Sequence, residues 1–151
     1  MKIIVDHRER GSGIIEELHK HELEVAVQEL KIADYVLQSK NSEGKVQSVG
    51  IERKTQNDFL NSIIDRRLVE QLIVLKENFD IPILILEGDE NIYEIRDFHP
   101  NAIRGMLSSI AIDFQIPIIP TKNFRDTAAL LTVMAKRLEK PGKAISLLSK
   151  R

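Results

Sequence analysis

The sequence predicts an α/β domain, on three observations. A chain of 151 residues, 42% apolar and 30% charged, suits one globular unit, enough to remove about two-thirds of its unfolded surface from water. Short β-branched runs alternate with segments whose apolar residues recur at helical spacing. Ile81 to Leu86 is apolar without alternation, the pattern of a strand covered on both faces.

Lys2 to Asp6 reads as the first strand, followed by Gly11-Ser12-Gly13 and then by Ile14, Ile15 and Leu18 at helical spacing. Glu24 to Leu30, Tyr35 to Gln38 and Val46 to Lys54 read as further strands. The polar segment Ser39 to Gly44 suits a hairpin loop between the last two. The first half is thus expected to be a meander with a preceding helix. Asp65 is placed to cap a helix whose stripe is Leu68, Leu72, Leu75 and Phe79, widened by Val69 and Ile73. After the buried strand, Pro100 suits a first helical position, and Ile103, Met106, Leu107, Ile110 and Phe114 give a helix to about Phe114 a broad apolar face. Ile116 to Ile119 is a short strand, and Phe124 to Leu138 a last helix, stopped before Pro141-Gly142. Residues 1–138 form the domain and 139–151 a basic linker or tail. There is no internal repeat and no low-complexity stretch.

The composition excludes several classes. Without cysteine there is no disulfide framework, thiol nucleophile or Cys-ligated zinc, so any metal is held by oxygen or His. No apolar run approaches the ~20 residues that span a bilayer, and the N-terminus lacks an apolar signal region; the expectation is a cytoplasmic protein that does not contact membrane. The net charge of −1 is asymmetric. Residues 136–151 carry +5 and residues 1–135 carry −6, so nucleic acid, if bound, is met by local basic clusters and not by bulk charge.

Chemistry is concentrated in the first 71 residues. Alternation along a strand puts Glu52 and Lys54 on one face, about 7 Å apart, with Val49 and Ile51 on the other. If Asp34 projects to that same face, two carboxylates converge beside a lysine, as a Mg²⁺-dependent phosphodiesterase requires. A metal there polarises the scissile phosphate and acidifies water, and the lysine orients that water or stabilises transition-state charge. An isolated Glu-x-Lys on a strand is ordinarily a solvated ion pair; its neighbours change the reading.

Those neighbours are Asp6-His7-Arg8-Glu9, Ala33-Asp34, Glu52-Arg53-Lys54-Thr55-Gln56-Asn57-Asp58, Arg67-Leu68-Val69-Glu70-Gln71, Leu86-Glu87-Gly88 and His99 to Gly105. In this order they closely resemble the XPF/Hef-type structure-specific DNA endonucleases, and the short archaeal members most. The resemblance covers nearly the whole chain to about Leu138. It implies a restriction-endonuclease-like fold, a mixed central sheet flanked by helices, and dependence on Mg²⁺ or, as a substitute, Mn²⁺. It also implies cleavage of branched DNA (3′ flaps, splayed arms, fork-like junctions) in repair and stalled-fork processing. By position, Asp34 and Glu52 would be metal ligands and Lys54 the water-orienting or charge-stabilising residue. Asp6, Glu9, Arg53 and Asp58 would support that site. Arg8, Arg66, Arg67 and Gln71 are the candidate DNA contacts, a solvated helix face being the alternative for the last three. One departure is Ala33, where the family usually has Gly; Ala costs little there if the backbone is ordinary β.

Other features take simpler readings. His7, His19, His21 and His99 lack ligand spacing and suit surface or capping roles. Gly11-Ser12-Gly13 reads as a turn into a helix, with phosphate cradling as the weaker alternative. Glu87-Gly88-Asp89 reads as a turn, with Glu87 at the rim of the site as the alternative. The apolar faces of the last two helices exceed what a small sheet covers, and the resemblance implies pairing through them. A homodimer is expected, with Ile103, Met106, Leu107, Ile110, Leu131 and Met134 at its interface, against the alternative that both helices pack only their own sheet. The family's tandem helix-hairpin-helix units are not recognisable beyond Ala144, so the chain reads as an isolated nuclease domain. A sliding clamp or helicase is a further candidate partner. A catalytically silent scaffold and a junction resolvase on the same fold are the competing functions.

Overall fold

The computed structural model describes residues 2–40 and 43–139. In chain order these form β1 (Lys2–Asp6), a 3₁₀ turn (His7–Ser12), α1 (Ile14–Lys20), β2 (Glu24–Gln28), β3 (Tyr35–Lys40), β4 (Val46–Thr55), α2 (Gln56–Asp65) and α3 (Arg67–Asn78). They continue with β5 (Ile81–Glu87), α4 (Pro100–Ser108), a π-helical turn (Ser109–Asp113), β6 (Ile118–Thr121) and α5 (Phe124–Leu138). The stop expected at Pro141-Gly142 and the basic tail from residue 140 onward lie outside the described residues.

The six strands make one mixed sheet in the order β2-β1-β3-β4-β5-β6. β2 runs parallel to β1, β3 is antiparallel to both β1 and β4, and β4, β5 and β6 are mutually parallel. The expected meander is therefore corrected. Only β3 and β4 form a hairpin, because α1 carries the chain back so that β2 pairs parallel on the outer side of β1, as a helical crossover requires. Pro120 lies on the edge strand β6, where a missing N–H is tolerated.

Two apolar layers cover the sheet. Ile3, Val5, Tyr35, Leu37, Val49, Ile51 and Ile85 pack with Ile14 and Leu18 of α1 and with Ala128 and Leu131 of α5. On the other face, Val36 and Leu84 pack with Phe59 and Leu60 of α2, Leu68, Leu72 and Leu75 of α3, and Ile103 of α4. Successive residues of β3 (Val36, Leu37) and of β5 (Leu84, Ile85) thus serve opposite layers. Gly50 lets Phe79, just after α3, lie against the β4 backbone, for a Cβ there would overlap its ring.

Local chemistry explains the element ends. Thr55 accepts the Asp58 N–H and starts α2, a helix that the sequence reading does not place before Asp65. Arg66 then turns the chain in the left-handed region, and Asp65 Oδ1 accepts the Arg67 N–H at 3.0 Å, capping α3 from the residue before the corner. His99 Nδ1 accepts the Asn101 N–H at 3.1 Å at the start of α4, the capping role anticipated for a histidine. Gly13 occupies φ 87° while Ser12 Oγ accepts the Ile14 N–H, so Gly11-Ser12-Gly13 is the turn into α1.

Candidate active site

The hairpin builds the site. Asp34 immediately precedes β3, donating its N–H to Ile51 O at 2.9 Å and accepting the Asp6 N–H at 2.8 Å. The register Tyr35↔Ile51 carried back one residue sets Asp34 opposite Glu52, and opposed residues of an antiparallel pair share a face. The condition left open by the sequence is met. Both carboxylates, with Lys54, sit on the α2/α3 side. Glu52 is 7% exposed, and Lys54 Nζ stands 3.9 Å from Glu52 Oε1. Asp34 Oδ2 accepts the Arg53 N–H at 2.8 Å. Ala33 is buried with negative φ, outside the left-handed region, so replacing glycine costs the site nothing in backbone strain.

The carboxylates line a cleft of about 260 Å³ together with Arg8, Lys31, Glu70 and Gln71. Burial pushes the Asp34 carboxyl up to about 6, only partly opposed by the Arg53 N–H. Burial and then the neighbouring Asp34 push Glu52 up to about 8. Two desolvated acids side by side resist joint ionisation, and a divalent cation between them removes that penalty. Among the described residues no group of three or more His, Asp or Glu is gathered for a metal, so the donors on offer are these two carboxylates. A hard-oxygen pair open to a cleft fits Mg²⁺, which retains water and binds through one or two carboxylates plus phosphate oxygens.

These shifts imply a pH dependence. An acid whose folded pKa is raised binds more protons folded than unfolded, so its stability contribution falls as pH rises from about 4 toward 8. In the metal-free protein these two groups are expected to lower the thermal midpoint across that window, followed by circular dichroism. The Mg²⁺ concentration for half-maximal stabilisation should fall over the same range, because protons compete for the ligands. A pH-independent Mg²⁺ midpoint between 6 and 8 contradicts this assignment.

The other candidates divide clearly. Asp6, fully buried, accepts the Leu30 N–H at 2.9 Å and pairs with Arg8. Burial pushes its carboxyl up, but these hydrogen bonds outweigh burial and hold it below its ordinary value. Asp6 thereby orients Arg8, whose guanidinium also reaches Leu30 O at 3.2 Å and lines the cleft. Glu9 lies on the opposite face of the sheet, 3.3 Å from Arg53 Nη1. Gln71 lines the cleft, its Oε1 buried without a partner.

Three expected residues are not brought to the pair. Asp58 is exposed in the first turn of α2, because the chain leaves the sheet at Thr55; its place suits the helix N-terminus. Arg66 is the exposed corner between α2 and α3, not a residue on a helix face, and Arg67 is turned toward Asp65 at 3.2 Å. Pattern reading missed Lys31 and Glu70 on the cleft wall; Glu87, read as part of a turn with the rim of the site as the alternative, is instead the buried last residue of β5, behind the pair. The signal for Glu87 was parity: it ends β5 on the same face as Ile83 and Ile85.

The interface expectation is corrected in part. Ile103, Ile110 and Leu131 are fully buried in their own subunit and have no surface to offer. Moreover, α4 and α5 lie on opposite faces of the sheet. Met106, Leu107 and Met134 are half-buried, and the exposed large apolar residues nearest them in sequence are Ile112, 72% exposed, and Val133, 61% exposed. The helix expected through Phe114 widens into the π turn at Ser109. No described helix is long and apolar enough to cross a membrane.

Comparison with known proteins places this geometry. The family model for the ERCC4 domain matches residues 5–134. A Methanocaldococcus jannaschii protein, named provisionally as an ATP-dependent RNA helicase, is 43% identical over 137 residues, covering 91% of this chain and 16% of that protein. The 3′-flap repair endonuclease Xpf of Saccharolobus solfataricus is 34% identical over 141 residues, covering 92% of this chain and 56% of the relative. This chain therefore spans little more than half of one relative and a small part of the other. In three dimensions it superposes on XPF from Aeropyrum pernix, solved in complex with DNA, with a TM-score of 0.76 at 26% identity, covering 89% of this chain and 63% of that one. The restriction-endonuclease-like sheet expected from the motifs is thus the observed one. Because the matched span contains the carboxylate pair, its lysine and the motifs from Asp6 to Gly105, the chain belongs to the ERCC4 domain family and is an XPF-type nuclease domain.

Proposed function

We propose that the protein is a Mg²⁺-dependent endodeoxyribonuclease that hydrolyses phosphodiester bonds in branched DNA, 3′ flaps, splayed arms and fork-like junctions, during DNA repair. The observation that carries this reading is the opposition of Asp34 and Glu52 on adjacent strands, with Lys54 on the same face. Asp34 and Glu52 would hold Mg²⁺, or Mn²⁺ in its place, in the cleft. When bound, that ion supplies Lewis-acid polarisation of the scissile phosphate and acidification of a water.

The protein's own groups do the rest. The Arg53 N–H fixes the rotamer of Asp34, and burial keeps solvent from competing for Glu52. Lys54, ending 3.9 Å from Glu52, is placed to hold the attacking water or to offset negative charge gathering on the phosphate. Arg8 and Lys31 at the rim supply positive charge to the DNA backbone, and Gln71 a further polar contact. The residues lining the cleft set two cations, Arg8 and Lys31, against three carboxylates, Asp34, Glu52 and Glu70, so few phosphates are neutralised, and weak affinity with a shallow salt dependence is expected of these 151 residues. Cytoplasmic residence beside DNA, and a sliding clamp or helicase as a further partner, complete the proposal.

The test is cleavage of a labelled 3′-flap duplex beside linear duplex and a four-way junction, with Mg²⁺, Mn²⁺ or EDTA. Metal-dependent cutting that prefers the flap supports the proposal. Preference for the four-way junction supports the resolvase alternative, and a folded protein that cuts nothing supports the silent scaffold.

We further propose that two copies pair through the surface around Met106, Leu107 and Ile112. Its support is Ile112, 72% exposed and five residues beyond the half-buried Leu107 at the end of the same helical segment. Ile112→Asp should shift sedimentation from dimer to monomer with an unchanged circular dichroism spectrum, whereas Ile110→Asp, which buries a charge, should unfold the domain. A dimer that survives Ile112→Asp removes this surface from consideration.

A further inference from the structure

Behind the carboxylate pair, on the α1/α5 side of the sheet, a buried polar chain runs from Thr121 to Asp34. Arg53 leaves β4 on that side, and Glu87, at the end of β5, grips its guanidinium along one edge: Nε to Oε1 at 3.1 Å and Nη2 to Oε2 at 2.6 Å. Glu9 takes Nη1 at 3.3 Å. Glu87 is itself held, because Thr127 Oγ1 of α5 donates to its Oε1 at 2.6 Å and lies 2.7 Å from Thr121 Oγ1. Glu87, Thr121 and Thr127 are all buried. At the other end, the main-chain N–H of Arg53 donates to Asp34 Oδ2.

Stability alone is a poor explanation for this arrangement. Buried ion pairs contribute little net folding energy once desolvation is counted, and apolar residues of similar volume often replace them without loss. What a two-point grip supplies is geometry. It fixes the plane of the guanidinium and, through the side chain, the strand from which it springs. The strand pleat then sets where the flanking residues Glu52 and Lys54 point, while the peptide N–H of the same residue aims Asp34. One buried anchor thus controls all three groups on the opposite face.

We propose that Glu87 is a positioning residue for phosphodiester cleavage, acting through Arg53 on Asp34, Glu52 and Lys54, with Thr127 tying the anchor to α5. Glu87 touches none of the groups that would meet the DNA. The proposal rests on the nuclease reading above and deepens it by assigning the support of that site.

The experiment uses the full 151-residue chain as wild type, Glu87→Gln, Thr127→Val, Arg53→Met and the Arg53→Met/Glu87→Gln pair. Steady-state cleavage of the 3′ flap gives kcat and KM, Mg²⁺ titration gives the half-saturating concentration, and circular dichroism gives the thermal midpoint. Glu87→Gln retains size and one acceptor but loses the charged two-point grip. It should lower kcat ~10- to 100-fold and raise the Mg²⁺ midpoint severalfold, the range for partners of metal-site groups, with flap KM within about twofold of wild type. Thr127→Val, which leaves every charge in place, should lower kcat by roughly two- to fivefold. On the Arg53→Met background, Glu87→Gln should add nothing further, since its effect travels through Arg53.

If wild type cuts the flap and Glu87→Gln matches it in kcat and Mg²⁺ midpoint, the positioning role is overturned while the nuclease reading stands. Additive losses in the double variant overturn it as well. If Glu87→Gln does not fold, Thr127→Val decides, and an unchanged kcat and Mg²⁺ midpoint overturn the proposal. If wild type itself cuts no substrate with either metal, the nuclease reading falls and this inference with it.

Discussion

Asp34→Asn is expected to lower the rate of flap cleavage by ~10³-fold or more while leaving the domain folded and raising the thermal midpoint of the metal-free protein. The two effects share one cause. Asparagine keeps an oxygen that accepts the Arg53 N–H, so the turn before β3 is preserved. It cannot carry the charge that a divalent cation needs, and it relieves Glu52 of a buried anionic neighbour. The gain is on the order of 1–3 kcal/mol at neutral pH, or several degrees in a domain of this size. Loss of cutting with a raised midpoint separates a ligand from a structural residue, because a structural residue loses both together. Wild-type cleavage by Asp34→Asn would falsify the assignment of the pair.

Lys54→Met carries the second large effect. The variant keeps an unbranched apolar stem in a position where the lysine side chain is 16% exposed, so packing is retained and only the ammonium is removed. Without it, nothing in the described structure replaces a cation within 4 Å of Glu52, and cleavage at saturating Mg²⁺ should fall ~10²-fold or more through kcat. Lys54→Arg should recover only part of the loss, since a planar guanidinium does not reproduce a compact, strongly hydrated charge. Retained kcat in Lys54→Met, measured on the same flap, removes the lysine from the mechanism. The two variants are also expected to differ in metal response: Asp34→Asn alters the Mg²⁺ midpoint of stabilisation, whereas Lys54→Met leaves two carboxylates for the ion.

Both expected effects depend on which side chains share a face of the sheet, and that face was legible early. Strand alternation alone sets Glu52 and Lys54 together and Ile51 apart from them. The apolar stretch Ile81 to Leu86, which lacks alternation, announced a central strand, and β5 does lie between β4 and β6. Leu68, Leu72 and Leu75 marked the buried stripe of α3. The ordered motifs from Asp6 to Gly105 pointed to the family that the comparisons then established.

Where pattern reading failed, the missing information was long-range. The meander was a natural expectation for neighbouring strands, but whether β2 turns back beside β3 or crosses to the far side of β1 depends on where α1 docks, and helix docking is a tertiary event. Asp58 is four residues beyond Lys54 in sequence and is nevertheless exposed on α2, because Thr55 ends the strand. Ile110 and Leu131 carry the same apolar signature as an interface residue; only packing reveals that their own sheet covers them, and from opposite sides.

Local periodicity thus points to the α/β class and places Glu52 with Lys54 on one face, and the ordered motifs, through their resemblance, point to the family that the comparisons establish. They are not enough to show that Asp34 faces Glu52 across a strand pair, that Arg8, Lys31, Glu70 and Gln71 wall the same cleft, or that Glu87 and Thr127 brace Arg53 from behind; those facts belong to the folded chain. A side chain's direction is fixed by its own strand, but its partner is set by sheet register and helix docking. These join residues as far apart as Glu87 and Thr127 by burying apolar surface that neither residue contributes.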